Sequence, residues 1–227
     1  MTSSNPELGQ AAGGKDSSID RMVFFIAIAF SSFQIYTAAF SPLSSSIVRA
    51  VHVGFLLLMI FLLSAEARSG IARVLSYGFA IVGFGLAFYH WIFEADLIYR
   101  AGTPTDLDIV VGVITIALVF EAARRVMGIA LPIICGLFLA YALFGEHLWG
   151  ALQHRGFAFE QVVDQLGFGT EGIYGIPTYV SSSYIFLFIL FGSFLEQAGM
   201  IKLFTDLAMG TVGHTRGGPA KVSSPPD

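Results

Sequence analysis

The sequence predicts an all-α membrane protein with about six membrane-spanning helices. Charged residues make up only 12% of the chain and hydrophobic residues 55%, and the mean hydropathy is +0.74. A soluble domain carries roughly 25% charged residues. The apolar residues also fall in runs long enough to cross a hydrocarbon core of about 30 Å. Since so few charges cannot cover a water-facing surface, lipid must solvate much of the chain.

The first three apolar runs are each close to the length that a spanning helix needs. They are residues 22–40, 47–65 and 74–93, and a polar tail, residues 1–21, precedes them. Ser41-Pro42 follows the first run, and a charged turn with a glycine follows the second. Tyrosine and tryptophan end the third run, where an interfacial aromatic belt belongs. These features predict three spans in immediate succession.

The fourth apolar stretch, residues 107–144, is too long for one crossing because it would form a helix of about 57 Å. Glu121 and the pair Arg124-Arg125 interrupt it. A charged side chain at the bilayer centre costs roughly 2.5–3.5 kcal/mol. The stretch is therefore predicted to form two helices, residues 109–123 and 127–144, with a tight turn at Arg124-Arg125.

The region between residues 145 and 176 is mixed in character. Its apolar positions predict an amphipathic helix at the membrane interface, with Glu160 and Asp164 on the opposite face. The apolar positions are Phe157, Phe159, Val162, Val163 and Leu166. A sixth span follows at residues 178–195. Helical spacing of Ile201, Phe204 and Leu207 then predicts a short cytoplasmic helix.

The basic residues predict the orientation. Of the 12 lysines and arginines, only Arg49, Arg100 and Arg155 fall in the segments that would face outward if the N-terminus lay inside. The other nine fall in inward-facing segments. Cytoplasmic segments are enriched in basic residues, so the chain is predicted to have both termini in the cytoplasm.

No catalytic or metal site is predicted, and the chain is not expected to be an enzyme. No glycine-rich stretch leads into a GK[ST] sequence, which argues against a nucleotide-driven pump. The basic residues are scattered, so nucleic acid is not expected as a partner. The single cysteine, Cys135, lies within an apolar run and has no zinc-site spacing with any histidine.

A few polar residues within or beside the spans leave alternatives open. His52 and His90 both fall near the outer face and as a pair could hold a b-type haem, although two interfacial histidines account for the pattern more simply. We expect no cofactor, so the purified chain should show no Soret band. Glu121, Arg124 and Arg125 form either a functional charged cluster or a plain positive-inside anchor. Ser181, Ser182 and Ser183 either line a polar path or simply pack within the helix. Glu196 is interpreted as a boundary charge.

Several unusual strings occur in an order that resembles a known family. They are GTPT at residues 102–105, EAARR at 121–125, EGIYGIP at 171–177 and GGPAKV at 217–222. Together with the apolar sequence between them, they resemble the fused permeases of tripartite ATP-independent periplasmic (TRAP) transporters, especially the type paired with TAXI-class binding proteins. The resemblance runs from about residue 22 to residue 222.

The resemblance implies an organisation and a function. Residues 22–125 would match the four-helix small permease (DctQ-like), and residues 126–222 would begin the large permease (DctM-like). Such permeases lie in the bacterial inner membrane. They take up organic acids on an ion gradient, with sodium as the coupling ion, and a periplasmic solute-binding protein delivers the substrate.

Residues 223–227 depart from the family pattern, which continues into further apolar helices. We therefore expect the chain to be the N-terminal portion of a permease, through truncation, frameshift or fragmentation, and to insert without transporting by itself. No substrate or sodium residue can be carried over, so the substrate-binding residues are unknown. The alternatives are a non-transporting membrane scaffold and, less favoured, a b-haem electron carrier.

The orientation can be tested with reporter fusions. Fusions after Arg68, Arg125 and Thr211 should report a cytoplasmic location, because basic residues surround these points or the predicted spans place them there. Fusions near Thr103 and Gln153 should report the periplasm. A cytoplasmic signal at Thr103 would contradict the six-span arrangement.

Overall fold

The structure, a computed structural model, describes residues 17–212, and its regular structure in that range is helical. The helices are α1 (Ser17–Phe40), α2 (Ser45–Glu66), α3 (Ile71–Ile92), α4 (Glu94–Tyr99), α5 (Asp106–Met127), α6 (Ala130–Phe144), α7 (Phe159–Gly167), α8 (Ile176–Val180), α9 (Phe186–Gln197) and α10 (Met200–Val212). A π-helical turn, Ser181–Ile185, joins α8 to α9. The all-α membrane fold is thereby confirmed.

Five segments within the described residues are long and apolar enough to cross a membrane. They are Asp20–Phe40, Ser45–Glu66, Ile71–Ile92, Ala130–His147 and Ile176–Gln197. The sixth predicted span corresponds to α5, which has 22 residues but carries charged side chains in its first and last turns. Its middle, from Ile109 to Phe120, is free of charge.

The contacts of α5 with α3 show that both helices cover the same depth. Asp108, in the first turn of α5, accepts a hydrogen bond from Tyr89 near the end of α3. Arg125, in the last turn of α5, donates to Ser76 near the start of α3, at 2.9 Å. Since α3 is itself long and apolar enough to cross, α5 runs antiparallel beside it across the apolar layer.

The predicted turn at Arg124-Arg125 is wrong. Helix α5 continues to Met127 and ends at Gly128, whose φ of 84° lies in the left-handed region that glycine adopts readily. Glu121 pairs with both arginines at 2.7 Å, three and four residues further along. Such pairs, and cations near a helix C-terminus, stabilise the last turn rather than break it.

Helices α2 and α3 form the centre of the bundle, and α5 packs against both. The buried core joins these three helices through Leu57, Phe61, Leu62, Ala80, Leu86, Leu118 and Ala122. Glycines permit the close approach of α2 and α3. A Cβ atom added at Gly54 would lie 2.7 Å from the Cβ of Ala87, and one added at Gly83 would lie 2.9 Å from the Cβ of Leu57.

The predicted amphipathic helix is present as α7 and packs on α5. Val163 is buried, with only 2% of its surface exposed. A Cβ atom on Gly167 would lie 3.0 Å from the Cα of Gly112, so two glycines set the spacing of the two helices. The apolar face of α7 therefore packs on α5 and is not turned only toward a membrane interface. The loop before α5 also contains a short helix, α4, which the sequence did not predict.

The chain divides into two compact units, Met1–Ser182 and Ser183–Asp227. In the second unit, α9 is followed by α10, so the short helix predicted around residues 201–207 is present. Its Leu203, Phe204 and Leu207 are exposed apolar side chains. Part of the predicted tail (residues 1–16), the GGPAKV string and residues 223–227 lie outside the described residues.

Two glycines of α3 provide a matched test of this packing. Gly83→Ala should lower the free energy of unfolding in detergent by about 1–3 kcal/mol, because the new methyl group overlaps Leu57 in a closely packed interface. Gly85 has nothing within 4 Å of an added Cβ atom. Gly85→Ala should therefore be neutral or stabilise by up to about 1 kcal/mol through helix propensity. Equal losses for the two variants would contradict the α2–α3 interface.

Candidate functional site

A buried arginine joins three helices at the end of the first unit where α5 ends and α3 begins. The side chain of Arg125 is only 4% exposed and pairs with Glu121 at 2.7 Å. It donates hydrogen bonds to Ser64 on α2 at 2.7 Å and to Ser76 on α3 at 2.9 Å. Its guanidinium also lies over the ring of Phe61, 4.7 Å from the centroid. Arg125 is therefore a structural clamp that joins three helices.

A second polar cluster lies at the opposite end of α5, around a buried carboxylate. Asp108 is 1% exposed and accepts hydrogen bonds from Tyr89, from Arg100 at 3.0 Å and from the Thr105 hydroxyl at 2.7 Å. Thr105 and Asp108 also form a capping box that begins α5. The carboxylate thus caps α5 while it ties the 93–105 loop to α3.

A third cluster lies inside the spans and joins three of them through His52. The Gln34 side-chain amide on α1 contacts Nδ1 of His52, and Nε2 of His52 lies 3.1 Å from the Ser181 hydroxyl. Gln34 and His52 are 1% and 2% exposed. Arg49, one turn before His52, donates to the Tyr174 carbonyl at 2.7 Å. The starts of α2 and of the span at Ile176 therefore lie on the same face, in agreement with the predicted topology.

The span that begins at Ile176 is not a regular α-helix. Pro177 occupies its first turn, and the helix widens into the π-helical turn at Ser181–Ile185. Ser182 is buried and donates to the Tyr179 carbonyl at 3.1 Å. Single π-helical turns interrupt the regular backbone ladder and occur frequently at functional sites. The contact with His52 holds the first residue of this turn.

A cavity of about 420 Å³ opens among α3, α4 and the end of α7. Its polar lining includes His90, Glu94, Asp164 and Thr170. Within the described part of the chain, Nε2 of His90 is buried and has no hydrogen-bond partner. Tyr174 packs edge-on against His90 at 4.5 Å, and burial raises the pKa of its phenol, which stays protonated. Two carboxylates make the cavity better suited to water or a cation than to an anion.

The structure shows the surroundings of the histidines and serines that were singled out from the sequence. Both ring nitrogens of His52 have partners, so iron ligation would require it to give up a buried hydrogen bond. Ser182 bonds back to its own helix, and Ser181 faces His52, which accounts for both as packed residues. Glu196, near the end of α9, and Cys135 are exposed. The absence of a cofactor stays a prediction.

Sequence reasoning missed two of the polar centres. Gln34 carries the only side-chain amide in the first apolar run, so the sequence alone could have singled it out. Thr105 and Asp108 have the capping-box spacing directly before an apolar run, which is a recognisable helix start. What the sequence does not show is which residues meet: that His52 contacts Gln34, or that Tyr89 and Arg100 donate to Asp108.

Comparison with known proteins gives one match. Residues 114–224, just under half of the chain, match the sequence model of the tripartite ATP-independent periplasmic transporter, DctM component. The match begins within α5 and includes the π-helical turn. No curated protein and no solved structure matches the chain. The match supports a component of a TRAP-type permease.

Adjacent arginines give a direct test of the inner clamp. Arg125→Met should lower the free energy of unfolding by about 1–3 kcal/mol, because it removes the hydrogen bonds to Ser64 and Ser76 inside the bundle. Arg124 pairs with the same Glu121 but is 44% exposed, so Arg124→Met should lower the free energy of unfolding much less than Arg125→Met does. Thermal unfolding in detergent would measure both, and similar losses would show that Arg125 does not clamp the bundle.

Proposed function

We propose that this chain is a permease component of a TRAP transporter that takes up organic acids on an ion gradient, with a periplasmic binding protein delivering the substrate. The observation that carries the proposal is the DctM match over residues 114–224. The structure is consistent with this match: the described helices include spans that can cross a membrane, and a π-helical turn interrupts the last of them. The proposed location is the bacterial inner membrane.

The interrupted span supports a transport role. Transporters commonly bind substrates and ions where a helix departs from regular geometry near the middle of the membrane, since freed backbone groups are then available. Here the π-helical turn begins at Ser181, which contacts His52 on α2, and His52 in turn contacts Gln34 on α1. The contact therefore links α1 and α2 to the beginning of the interrupted span, which lies within the matched residues.

The substrate site itself remains unassigned within the described residues. The outer cavity beside His90 has two carboxylates in its lining, and an organic anion would be repelled there. Sodium as the coupling ion and the binding protein as the partner follow from the proposed family alone. We do not favour the electron-carrier alternative, because His52 already has a partner at each ring nitrogen.

The function can be tested in cells that contain the cognate binding protein. Deletion of this chain should abolish sodium-dependent accumulation of a labelled organic acid, measured across a panel of mono- and dicarboxylates, and re-expression should restore it. Ser181→Ala should reduce the uptake rate without reducing the amount of chain in the membrane, because it removes the contact with His52.

The matched control is Ser32→Ala, since Ser32 lies on an exposed face of α1. That variant should transport as the wild type does. Unchanged accumulation after deletion, for every acid in the panel, would overturn the proposed function.

A further inference from the structure

The hydrogen bonds through His52 run in one direction, from α1 to the interrupted span. The side-chain amide nitrogen of Gln34 faces Nδ1 of His52. An amide nitrogen donates hydrogen bonds and does not accept them. Nδ1 must therefore be the acceptor, which leaves the one proton of a neutral imidazole on Nε2. The Nε2–H group then donates to the hydroxyl oxygen of Ser181, 3.1 Å away.

The surroundings of the ring favour this neutral form. Gln34 and His52 are 1% and 2% exposed, and both lie in helices that can cross a membrane. The ring of Phe30 packs against the imidazole at 5.3 Å. A charged side chain in such an apolar layer is strongly unfavourable. Among the described residues, Oε1 of Gln34 has no hydrogen-bond partner, and a buried oxygen without a partner is tolerated more readily than a buried N–H.

The hydroxyl proton of Ser181 is left over by this arrangement. Its oxygen accepts from His52, so the proton of the hydroxyl is not used in that contact. The neighbouring Ser182 donates its own proton to the Tyr179 carbonyl at 3.1 Å. Within the part of the chain that the structure describes, the contact with His52 is the only hydrogen bond of the Ser181 side chain. Ser181 is half-buried at the start of the π-helical turn, so it can donate to an acceptor that comes from outside its helix.

We propose that Gln34 is a positioning residue that acts through His52. It fixes the tautomer of the ring, and the ring makes the Ser181 hydroxyl a hydrogen-bond donor to the carboxylate of the transported acid. This inference rests on the proposed function. A carboxylate only accepts hydrogen bonds. The opposite tautomer, with its proton on Nδ1, would draw the Ser181 proton onto Nε2 and turn the oxygen lone pairs toward the carboxylate.

Nitrogen-15 NMR of the full chain in lipid nanodiscs tests the tautomer directly. At neutral pH the His52 ring should show a proton on Nε2 and none on Nδ1. Gln34→Leu removes the donor to Nδ1 and should give a mixture of the two tautomers, whereas Ser32→Ala on the exposed face of α1 should leave the spectrum unchanged. A proton on Nδ1 in the unmodified chain would overturn the inference, and that measurement does not depend on the folding of any variant.

Uptake in cells that contain the cognate binding protein tests the consequence. Gln34→Leu and Ser181→Ala should each lower kcat/KM for uptake about tenfold, as expected for the loss of one hydrogen bond to a charged group, with the amount of chain in the membrane unchanged. The double variant should lose no more than either single variant, because both changes act on the same hydroxyl. Ser181→Thr keeps a hydroxyl and should retain the wild-type value.

The proposed function and this inference fail in different ways. A wild-type chain that takes up no acid in the panel would overturn the proposed function, whatever the tautomer of His52. Normal uptake by Gln34→Leu, or a double variant whose losses add, would contradict the role of Gln34 and leave the proposed function standing. Failure of Ser181→Thr to transport, with the chain present in the membrane, would also count against the hydroxyl as the donor.

Discussion

The first unit depends on the burial of one charge, the guanidinium of Arg125. A buried ion is strongly unfavourable unless it is paired and hydrogen-bonded. Here the partners come from three helices: Glu121 on α5, Ser64 on α2 and Ser76 on α3. Rotation or sliding of α5 would break the contacts with Ser64 and Ser76, so the arginine helps to fix the register of α5 against the α2–α3 pair. The apolar core then packs around a geometry that the polar contacts have already selected.

The same constraint explains the other two clusters. Apolar packing between membrane helices has little directional preference, because lipid tails solvate leucine and phenylalanine as well as protein does. A buried amide, imidazole or carboxylate does have a direction, since each unsatisfied group costs several kcal/mol in an apolar medium. Gln34 and His52 orient α1, α2 and the span at Ile176, and Asp108 orients the start of α5. Polar contacts at both ends of the bundle therefore specify its arrangement.

Burial is uneven among the spans, and the difference follows the family match. In the most apolar part of Ser45–Glu66, 50% of the residues are buried. The corresponding share is only 6% in Ala130–His147 and in Ile176–Gln197. The two least buried spans both lie in the region that matches DctM. Their exposed faces are apolar, so a membrane can solvate them without penalty. The well-packed α2–α3 pair lies outside the match, whereas the part of α5 that packs on it, with Leu118 and Ala122, lies inside.

The sequence alone determined the all-α membrane class and the approximate spans, because hydropathy is read one segment at a time, while the orientation drawn from the basic residues stays a prediction. It misplaced the turn after α5, since Arg124 and Arg125 read as an interruption when Glu121 in fact stabilises them within the helix. The tertiary structure decided which polar residues meet. His52 and Ser181 are 129 residues apart, and His154 reaches back 13 residues to Tyr141. Such pairings depend on how helices rotate against one another and how loops fold back, and no local pattern in the chain encodes either.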